Sequence, residues 1–464
     1  MKRSIMIAMA TTLALASCQT DDIMDNHPGS AQNANNAIRF DGEAGNMSRA
    51  NTVNGSTAAE KLKKNFVVYG TKTVGETTST VYNCYNVNYK DGSDNNSTGK
   101  WEYDKETSNP LNSGTKNQTI KYWDYSASQY DFVAFSFGEA KQGTDAQTTD
   151  EGTDANTKKV VAKIVTEGEN NPKLKELKLT GDASELAKCY VADRVTATNT
   201  TSTEGQTSES GTSYVTTQYN KPVTFNFRTM MTKVELNIYE TIDGYSVKNV
   251  QFYSGNGEDA SKSSTPTLFT NNDKKIPVAG DNVTVTVTFN DATSEGQTDK
   301  NLAKFAWSGT TEQANITFGS LTNPAKSSSA RLNTRTGENE FLGITKDNPS
   351  KSTQIVTIPV NLEDGLNLKV DYTLISDDGS GETITVKGAN VKIKSDFTNW
   401  KENTAYTYIF HISKETNGNT GETTNPAGLF PITFDAVVTE TGNGESHEEE
   451  IKDASSSGSG ITEN

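Results

Sequence analysis

The chain has 464 residues and a formal net charge of -16 at pH 7, and hydrophobic residues make up 32% of it. This length suits more than one domain, while the composition lies close to that of disordered proteins. The acidic balance argues against a nucleic-acid partner, because binding phosphate needs a surplus of Lys and Arg. With only 3 His and 3 Cys, the chain offers little for a zinc centre or histidine catalysis, so we expect no catalytic residue, metal site or cofactor.

The chain begins with a pattern typical of a secretory signal. Lys2 and Arg3 precede an apolar run, Ile5 to Ala16, that is too short to span a bilayer. The sequence Leu15-Ala16-Ser17-Cys18 then resembles the lipobox of bacterial lipoproteins, in which the Cys thiol is acylated and the signal is cut just before it. The alternative is an ordinary signal with a chance Cys. We predict a signal peptide over residues 1–17 and a lipid anchor on Cys18.

A short acidic stretch follows the lipid site. Gln19-Thr20-Asp21-Asp22 resembles the signal that sends lipoproteins of the Bacteroidetes to the outer face of the outer membrane. The resemblance implies a precursor anchored in the cell outer membrane. No other segment approaches the ~20 consecutive apolar residues that a spanning helix needs, so no further membrane span is predicted.

Alternation of apolar and polar residues dominates the chain from there to about Thr439. The strand-like runs are Phe66 to Tyr69, Thr80 to Asn88, Tyr122-Trp123, Tyr130 to Phe137, Val223 to Phe227, Val234 to Ile238, Val247 to Phe252, Val283 to Phe289, Ile355 to Val360, Leu366 to Leu374, Ile384 to Ile393 and Ala405 to Ile412. Most are bounded by Gly, Asn, Asp or Ser, which is turn chemistry. Helical patterning is confined to Ala58 to Lys64 and Ser184 to Lys188. The pattern predicts an all-β sandwich fold.

Polar segments divide the predicted strands into two groups. The longest inserts, Asp91 to Thr119, Gly138 to Asn156 and Thr198 to Thr212, cannot bury enough apolar surface to offset their ordering entropy, so we predict long polar loops. A break in apolar patterning near residue 220 separates an N-terminal sandwich domain, 50–220, from a C-terminal one, 221–440. Residues 441–464, acidic and then rich in Ser and Gly, are predicted to be a disordered tail. One His among these acids, His447, is a poor metal-ligand set.

Several short motifs follow one another in a definite order. They are Ala37-Ile38-Arg39-Phe40, Ser48-Arg49-Ala50, the run Phe66 to Gly70, Trp101 to Tyr103, Tyr122-Trp123, Pro222 to Phe227, Thr232 to Leu236 and Trp400 to Ile409. In this order they resemble the fimbrillins, the type V pilins of Bacteroidales. The resemblance implies two transthyretin-like β-sandwich domains, lipoprotein export, surface cleavage after an arginine by a trypsin-like protease, and polymerisation by strand donation. The chain departs from the family at Arg228, where His is common.

The resemblance places a removable strand before Arg49. Ile38 and Phe40 alternate with polar residues, as a strand that fills an apolar slot should. Cleavage between Arg49 and Ala50 by an Arg-specific protease would remove the lipidated leader, residues 18–49, together with this strand. The first domain would then present an apolar groove and unpaired backbone that another chain can complete. The alternative is that Ser-Arg-Ala occurs in a loop by chance.

The segment 429–439 is a candidate donor strand. Its apolar residues occupy alternate positions: Ile432, Phe434, Ala436 and Val438. The Gly/Thr/Asn-rich stretch from Thr416 to Gly428 before it suits a flexible arm. Alternatively, the segment is the last strand of its own C-terminal domain. Donation predicts a shaft subunit of a surface fimbrium that supports adhesion, with other copies of itself and related pilin subunits as partners.

The sequence leaves open an alternative function and the question whether two cysteines form a disulfide. A monomeric outer-membrane lipoprotein that binds carbohydrate is the alternative, with Trp101, Trp307 and Trp400 as candidates for stacking on sugar rings. No Ser/His/Asp arrangement is visible, so no enzyme is predicted. Asp377-Asp378 lies beside a Gly and is assigned to a hairpin turn. Cys84 and Cys189 either form a disulfide or remain separate buried thiols.

Overall fold

The structure, a computed structural model, describes residues 37–45, 52–53, 55–92, 99–103, 118–143, 159–168, 171–199, 216–270, 274–280, 282–289, 303–324, 340–414, 416, 418–420, 434–439 and 446–451. These residues form strands and two short helices, α1 (Gly55–Lys61) and α2 (Ala183–Leu186), with a 3-10 turn at Ser395–Phe397. The all-β prediction is confirmed, and both helices overlap the predicted helical segments. Cys18, Arg49, Ala50, Ile432 and most of the predicted polar inserts lie outside the described residues.

The strands are numbered in chain order. The first twelve are β1 (Phe40–Gly45), β2 (Thr52–Val53), β3 (Asn65–Val74), β4 (Thr77–Lys90), β5 (Lys100–Glu102), β6 (Gln129–Ser136), β7 (Val161–Glu167), β8 (Lys173–Gly181), β9 (Tyr190–Ala192), β10 (Val195–Thr198), β11 (Thr216–Gln218) and β12 (Val223–Thr229). The others are β13 (Thr232–Glu240), β14 (Tyr245–Tyr253), β15 (Lys262–Ser263), β16 (Thr267–Phe269), β17 (Ile276–Val278), β18 (Val283–Phe289), β19 (Ala303–Ser308), β20 (Thr311–Gln313), β21 (Asn315–Thr317), β22 (Ser350–Lys351), β23 (Ile355–Thr357), β24 (Val360–Asn361), β25 (Leu366–Ser376), β26 (Thr383–Ile393), β27 (Asn399–Trp400), β28 (Ala405–Ile412), β29 (Asn419–Thr420), β30 (Phe434–Thr439) and β31 (Ser446–Ile451). Strands β18 and β28 have the bounds that the alternation predicts.

The largest sheet has ten strands and is buried on both faces. Its strands lie in the order β2-β1-β12-β9-β6-β3-β4-β5, with β10 beside β6 and β11 beside β10. Along β3, Phe66 and Val68 belong to one apolar core, whereas Val67 and Tyr69 belong to another. Because successive residues of a strand point to opposite faces, the sheet separates these two cores.

The second of these cores is closed by another sheet. Four strands in the order β19-β18-β8-β7 supply Leu177, Leu179 and Val285 to it, all fully buried. The two packed sheets form a sandwich. Its four-stranded sheet combines strands that precede β12 with strands that follow it, so the two parts of the chain share a core.

A third core lies in the C-terminal part of the chain. Strands in the order β22-β13-β28-β30-β31, with β23 beside β13, form one sheet, and β14, β25 and β26 belong to a seven-stranded sheet. Leu236 and Tyr408 from the first sheet and Val370 from the second are buried in the same cluster. Strand β13 runs parallel to β28, from the pair Lys233 and Ala405 to the pair Glu240 and Ile412.

The structure differs from the predicted division near residue 220. Strand β12 follows that point in sequence but pairs with β1 and β9 in the ten-stranded sheet. The polar stretch before it looks like a linker because it lacks apolar residues, yet the chain returns to complete the same sheet. Part of the predicted disordered tail also differs: β31 pairs antiparallel with β30, because β30 offers an unpaired backbone edge to it.

Candidate functional site around the N-terminal strand

The N-terminal strand β1 occupies an interior position in the ten-stranded sheet. It pairs in parallel with β12, from Phe40 beside Val223 to Ala44 beside Phe227, and β2 pairs with its far end on the other side. The Val223 amide donates to the Arg39 carbonyl at 2.8 Å. Just before the strand, the Ile38 amide donates to the Lys121 carbonyl at 2.9 Å. Other parts of the same chain therefore hydrogen-bond to both edges of the segment from Ile38 to Phe40.

Two side chains anchor this segment in the first core. Ile38 and Phe40 are each only 1% exposed, whereas Arg39 between them is exposed. The predicted alternation is therefore observed over these three residues. Burying two large apolar side chains stabilises the site by roughly 1.5 to 3 kcal/mol each.

An aromatic pocket surrounds the Phe40 ring. Its members, with the distances between their ring centroids and that of Phe40, are Tyr82 at 5.0 Å, Tyr103 at 5.4 Å, Phe132 at 5.7 Å and Phe225 at 5.8 Å. We call these four residues the Phe40 pocket. Three meet the ring edge-on or tilted and Phe225 stacks on it, which are the favourable arrangements of aromatic pairs. A smaller side chain at position 40 would leave much of this volume unfilled.

Hydrogen bonds fix the side chains of Tyr82 and Tyr103, which lie beside Phe40 in the first core, and that of Gln118. The Tyr82 hydroxyl donates to that of Tyr103 at 3.2 Å, and the Tyr103 oxygen accepts from the Lys121 amide at 3.1 Å. Burial raises the pKa of Tyr82 well above its usual value, so its hydroxyl stays a neutral donor. Gln118 is buried and bonds both backbone groups of Asn86. These hydrogen bonds tie Tyr103 and Gln118 to β4 without any contribution from β1.

Of the candidate donor segment 429–439, the structure describes the backbone of residues 434–439. Strand β30 pairs antiparallel with β28, at Val438 beside Tyr408 and Val437 beside Ile409, and β31 pairs with its other edge. In this structure residues 434–439 therefore pair within a sheet of their own chain, which agrees with the second of the two interpretations considered above. Phe434 and Ala436 lie on the same strand.

A partly buried ion-pair network around Arg228 joins β12 to other parts of the chain. Its guanidinium contacts the Asp193 carboxylate at 3.1 Å and that of Glu402 at 3.0 Å, and it lies 4.7 Å from the centre of the Phe305 ring. Asp193 also accepts from the Ala303 amide at 2.9 Å. Arg228 immediately follows the residues of β12 that pair with β1. The network therefore links β12 to β19 of the four-stranded sheet and to the turn that precedes β28.

Replacing Arg228 by Met should destabilise the folded chain by about 3 kcal/mol, because it leaves the Asp193 carboxylate buried without its cation. Urea unfolding measures the difference. Lys63→Met is the matched control, since it breaks an ion pair with Glu139 in which both side chains are more than half exposed, and a loss below about 1 kcal/mol is expected there. Equal losses in the two variants would contradict the proposed importance of the network.

The cysteines and tryptophans do not form a further site. Cys84 and Cys189 are not joined in a disulfide; both are buried in the second core, which agrees with separate thiols. Trp400, a candidate for sugar stacking under the alternative function, is only 2% exposed: the indole packs in the third core and donates to Tyr408. Trp101 is partly buried against Phe66.

The acidic and histidine candidates have structural surroundings. Asp377-Asp378 lies in the turn between β25 and β26, as predicted, and hydrogen bonds from Ser376 and Ser380 lower the pKa of Asp378 to about 2. The His411 ring stacks on Tyr239 with 4.5 Å between centroids. Over the described ranges, no three His, Cys, Asp or Glu side chains are grouped to hold a metal ion. Nor does any helix described here have the length and apolar character to cross a membrane.

Comparison with known proteins gives structural likeness alone. No protein-family model and no curated sequence matches the chain. Its structure is similar to that of a fimbrial protein from Bacteroides vulgatus, with 16% identity and a TM-score of 0.41 over 83% of this chain and 99% of that one. A candidate cell adhesion protein from Bacteroides ovatus has 15% identity and a TM-score of 0.32 over 83% and 96% of the two chains. A fimbrial assembly protein from Parabacteroides distasonis has 10% identity and a TM-score of 0.26 over 89% and 99%.

Proposed function

We propose that this chain is a structural pilin, a shaft subunit of a surface fimbrium that polymerises by strand donation and supports adhesion. The observation that carries the proposal is the interior position of β1. Two side chains only 1% exposed, Ile38 just before β1 and Phe40 at its start, lie between the predicted lipid site at Cys18 and the predicted cleavage site at Arg49. A cut there separates a core strand from the rest of the molecule.

Loss of β1 would leave a site that only another strand can satisfy. The backbone of β12 from Val223 to Phe227 would lose its partner, and buried unpaired amides and carbonyls are costly. The Phe40 pocket would expose four aromatic side chains around an empty volume. An extended apolar segment restores both the hydrogen bonds and the packing, as in other cases of strand addition.

The processing steps follow from this arrangement. The precursor is anchored in the outer membrane through Cys18, and an Arg-specific, trypsin-like protease cuts between Arg49 and Ala50. Release of residues 18–49 removes both the lipid and β1. The segment 429–439 of another copy or of a related pilin subunit then fills the groove. This role needs no catalytic residue, cofactor or metal.

Replacing Arg49 tests the proposal, because cleavage must precede assembly. In cells that carry the processing protease, Arg49→Gln should accumulate as a lipidated, unpolymerised precursor. Arg39→Gln is the matched control: Arg39 is exposed, and its loss should leave processing and fibres unchanged. Subunit length on denaturing gels and fibres in electron micrographs are the two measurements. Normal fibres from the Arg49 variant would refute the proposed maturation.

A further inference from the structure

The groove around β1 imposes a residue pattern on whatever strand occupies it. The site before the Phe40 pocket takes a β-branched aliphatic side chain, Ile38, and the pocket takes a phenyl ring two residues later. Arg39 between them points outward and is free to vary. A replacement strand must therefore present Ile-x-Phe in the parallel orientation that β1 has beside β12.

The C-terminal segment shares a four-residue pattern with the start of the N-terminal strand. Ile38-Arg39-Phe40-Asp41 and Ile432-Thr433-Phe434-Asp435 share the pattern Ile-x-Phe-Asp, which occurs at these two places in the 464 residues. The likeness continues along the same face. Small residues Gly42 and Ala44 in the first segment correspond to Ala436 and Val438 in the second.

From this match we infer that a second copy of the chain inserts β30 in place of β1 in one register, with Phe434 in the Phe40 pocket. The inference rests on the proposed function and adds the register and the residue that selects the strand. Phe434 then lies beside Val223, and Val437 beside Asn226, as Phe40 and Glu43 do in the precursor. At the positions that correspond to Gly42 and Ala44 in this register the donor has the larger apolar residues Ala436 and Val438, and burying more apolar surface would favour the exchange.

Other registers fit the groove poorly. A shift of two residues places Ala436 in the Phe40 pocket in one direction and Ile432 in the other; neither side chain fills the volume of a phenyl ring, so both shifts lose packing. A shift of one residue reverses the two faces of the strand. It would bring Asp435 or Thr433 into the four aromatic side chains, where a carboxylate or hydroxyl has no partner.

Engineered disulfides test the register. The mature chain from Ala50 carries Asn226→Cys together with Val437→Cys, because Asn226 is exposed and neighbouring strands place paired Cα atoms ~5 Å apart, within disulfide range. The shifted pairs combine Asn226→Cys with Asp435→Cys or Thr439→Cys. Oxidised polymers are separated on denaturing, non-reducing gels. The Val437 pair should give a ladder of linked subunits, and the shifted pairs should give at least tenfold less.

Two controls define the background. The parent mature chain should give no ladder, because its two cysteines are buried and burial raises the pKa of the Cys84 thiol to about 12. Glu43→Cys with Asn226→Cys in an uncleaved Arg49→Gln precursor should form a disulfide within one chain, since these residues are paired there.

The outcomes separate the register from the proposed function. A ladder that is strongest for a shifted pair overturns the register and leaves strand donation standing. Intact polymers without a ladder from any pair show that β30 does not enter this groove, which overturns both the register and the donor assignment. Failure of the parent mature chain to polymerise refutes the assembly mechanism and the register with it.

Discussion

Removing residues 429–464 from the mature chain is expected to abolish polymerisation while leaving a folded monomer. The groove vacated by β1 would then have no segment to fill it. The C-terminal core should survive, because β28 keeps its parallel pairing with β13 from Ala405 to Ile412 and its inward residues Tyr408 and Phe410 are fully buried in that core. Size-exclusion chromatography and circular dichroism distinguish a folded monomer from polymers and from unfolded chain.

A shorter truncation provides the matched control for this prediction. Removing residues 452–464 leaves β30 and β31 in place and should leave polymerisation unchanged. Polymers of normal length from the chain that ends at residue 428 would contradict the donor assignment and favour the interpretation in which β30 serves only its own sheet.

Replacing Phe40 by Ala should destabilise the precursor by about 3 to 5 kcal/mol, the usual cost of truncating a buried phenylalanine to alanine. The cost is large because the four aromatic rings of the pocket, held by separate parts of the chain, cannot collapse together into the vacated volume. Urea unfolding of the lipid-free precursor, with Cys18→Ser, measures the change. Phe40→Leu, which fills part of the pocket, should lose less.

The neighbouring residue provides the control for the pocket. Arg39 is exposed, so Arg39→Ala should change the free energy of unfolding by less than about 0.5 kcal/mol. If Phe40→Ala and Arg39→Ala had the same stability, the pocket would not hold the N-terminal strand, and an empty groove could not drive assembly.

The strands with regular alternation were predictable from the sequence. Val283 to Phe289 and Ala405 to Ile412 have apolar residues at every second position and turn residues nearby, so their bounds agree with the structure. Strand β8 was not predicted. Its sequence, Lys-Leu-Lys-Glu-Leu-Lys-Leu, is rich in helix formers, and it is extended because it pairs with both β7 and β18. Tertiary pairing overrides local propensity in this strand.

The composition of the Phe40 pocket could not be read from alternation. A strict period of two places Tyr82 and Cys84 on one face of β4, but the structure puts Tyr82 with Tyr85 in the first core and Cys84 in the second. An irregular register between Val68 and Gly70 causes the change, and Cys84 has a positive φ of 55° there. Such a bulge reverses the faces beyond it. The sequence identifies Ile38 and Phe40 as a buried pair without showing which rings receive them.

The N-terminal sequence of subunits released from fibres on the cell surface tests the central claim most directly. Cleavage that removes a core strand predicts a chain that starts at Ala50, carries no lipid and lacks β1. Subunits that begin at an acylated Cys18 and remain monomeric would contradict the account, and they would favour the alternative of a lipid-anchored carbohydrate-binding protein.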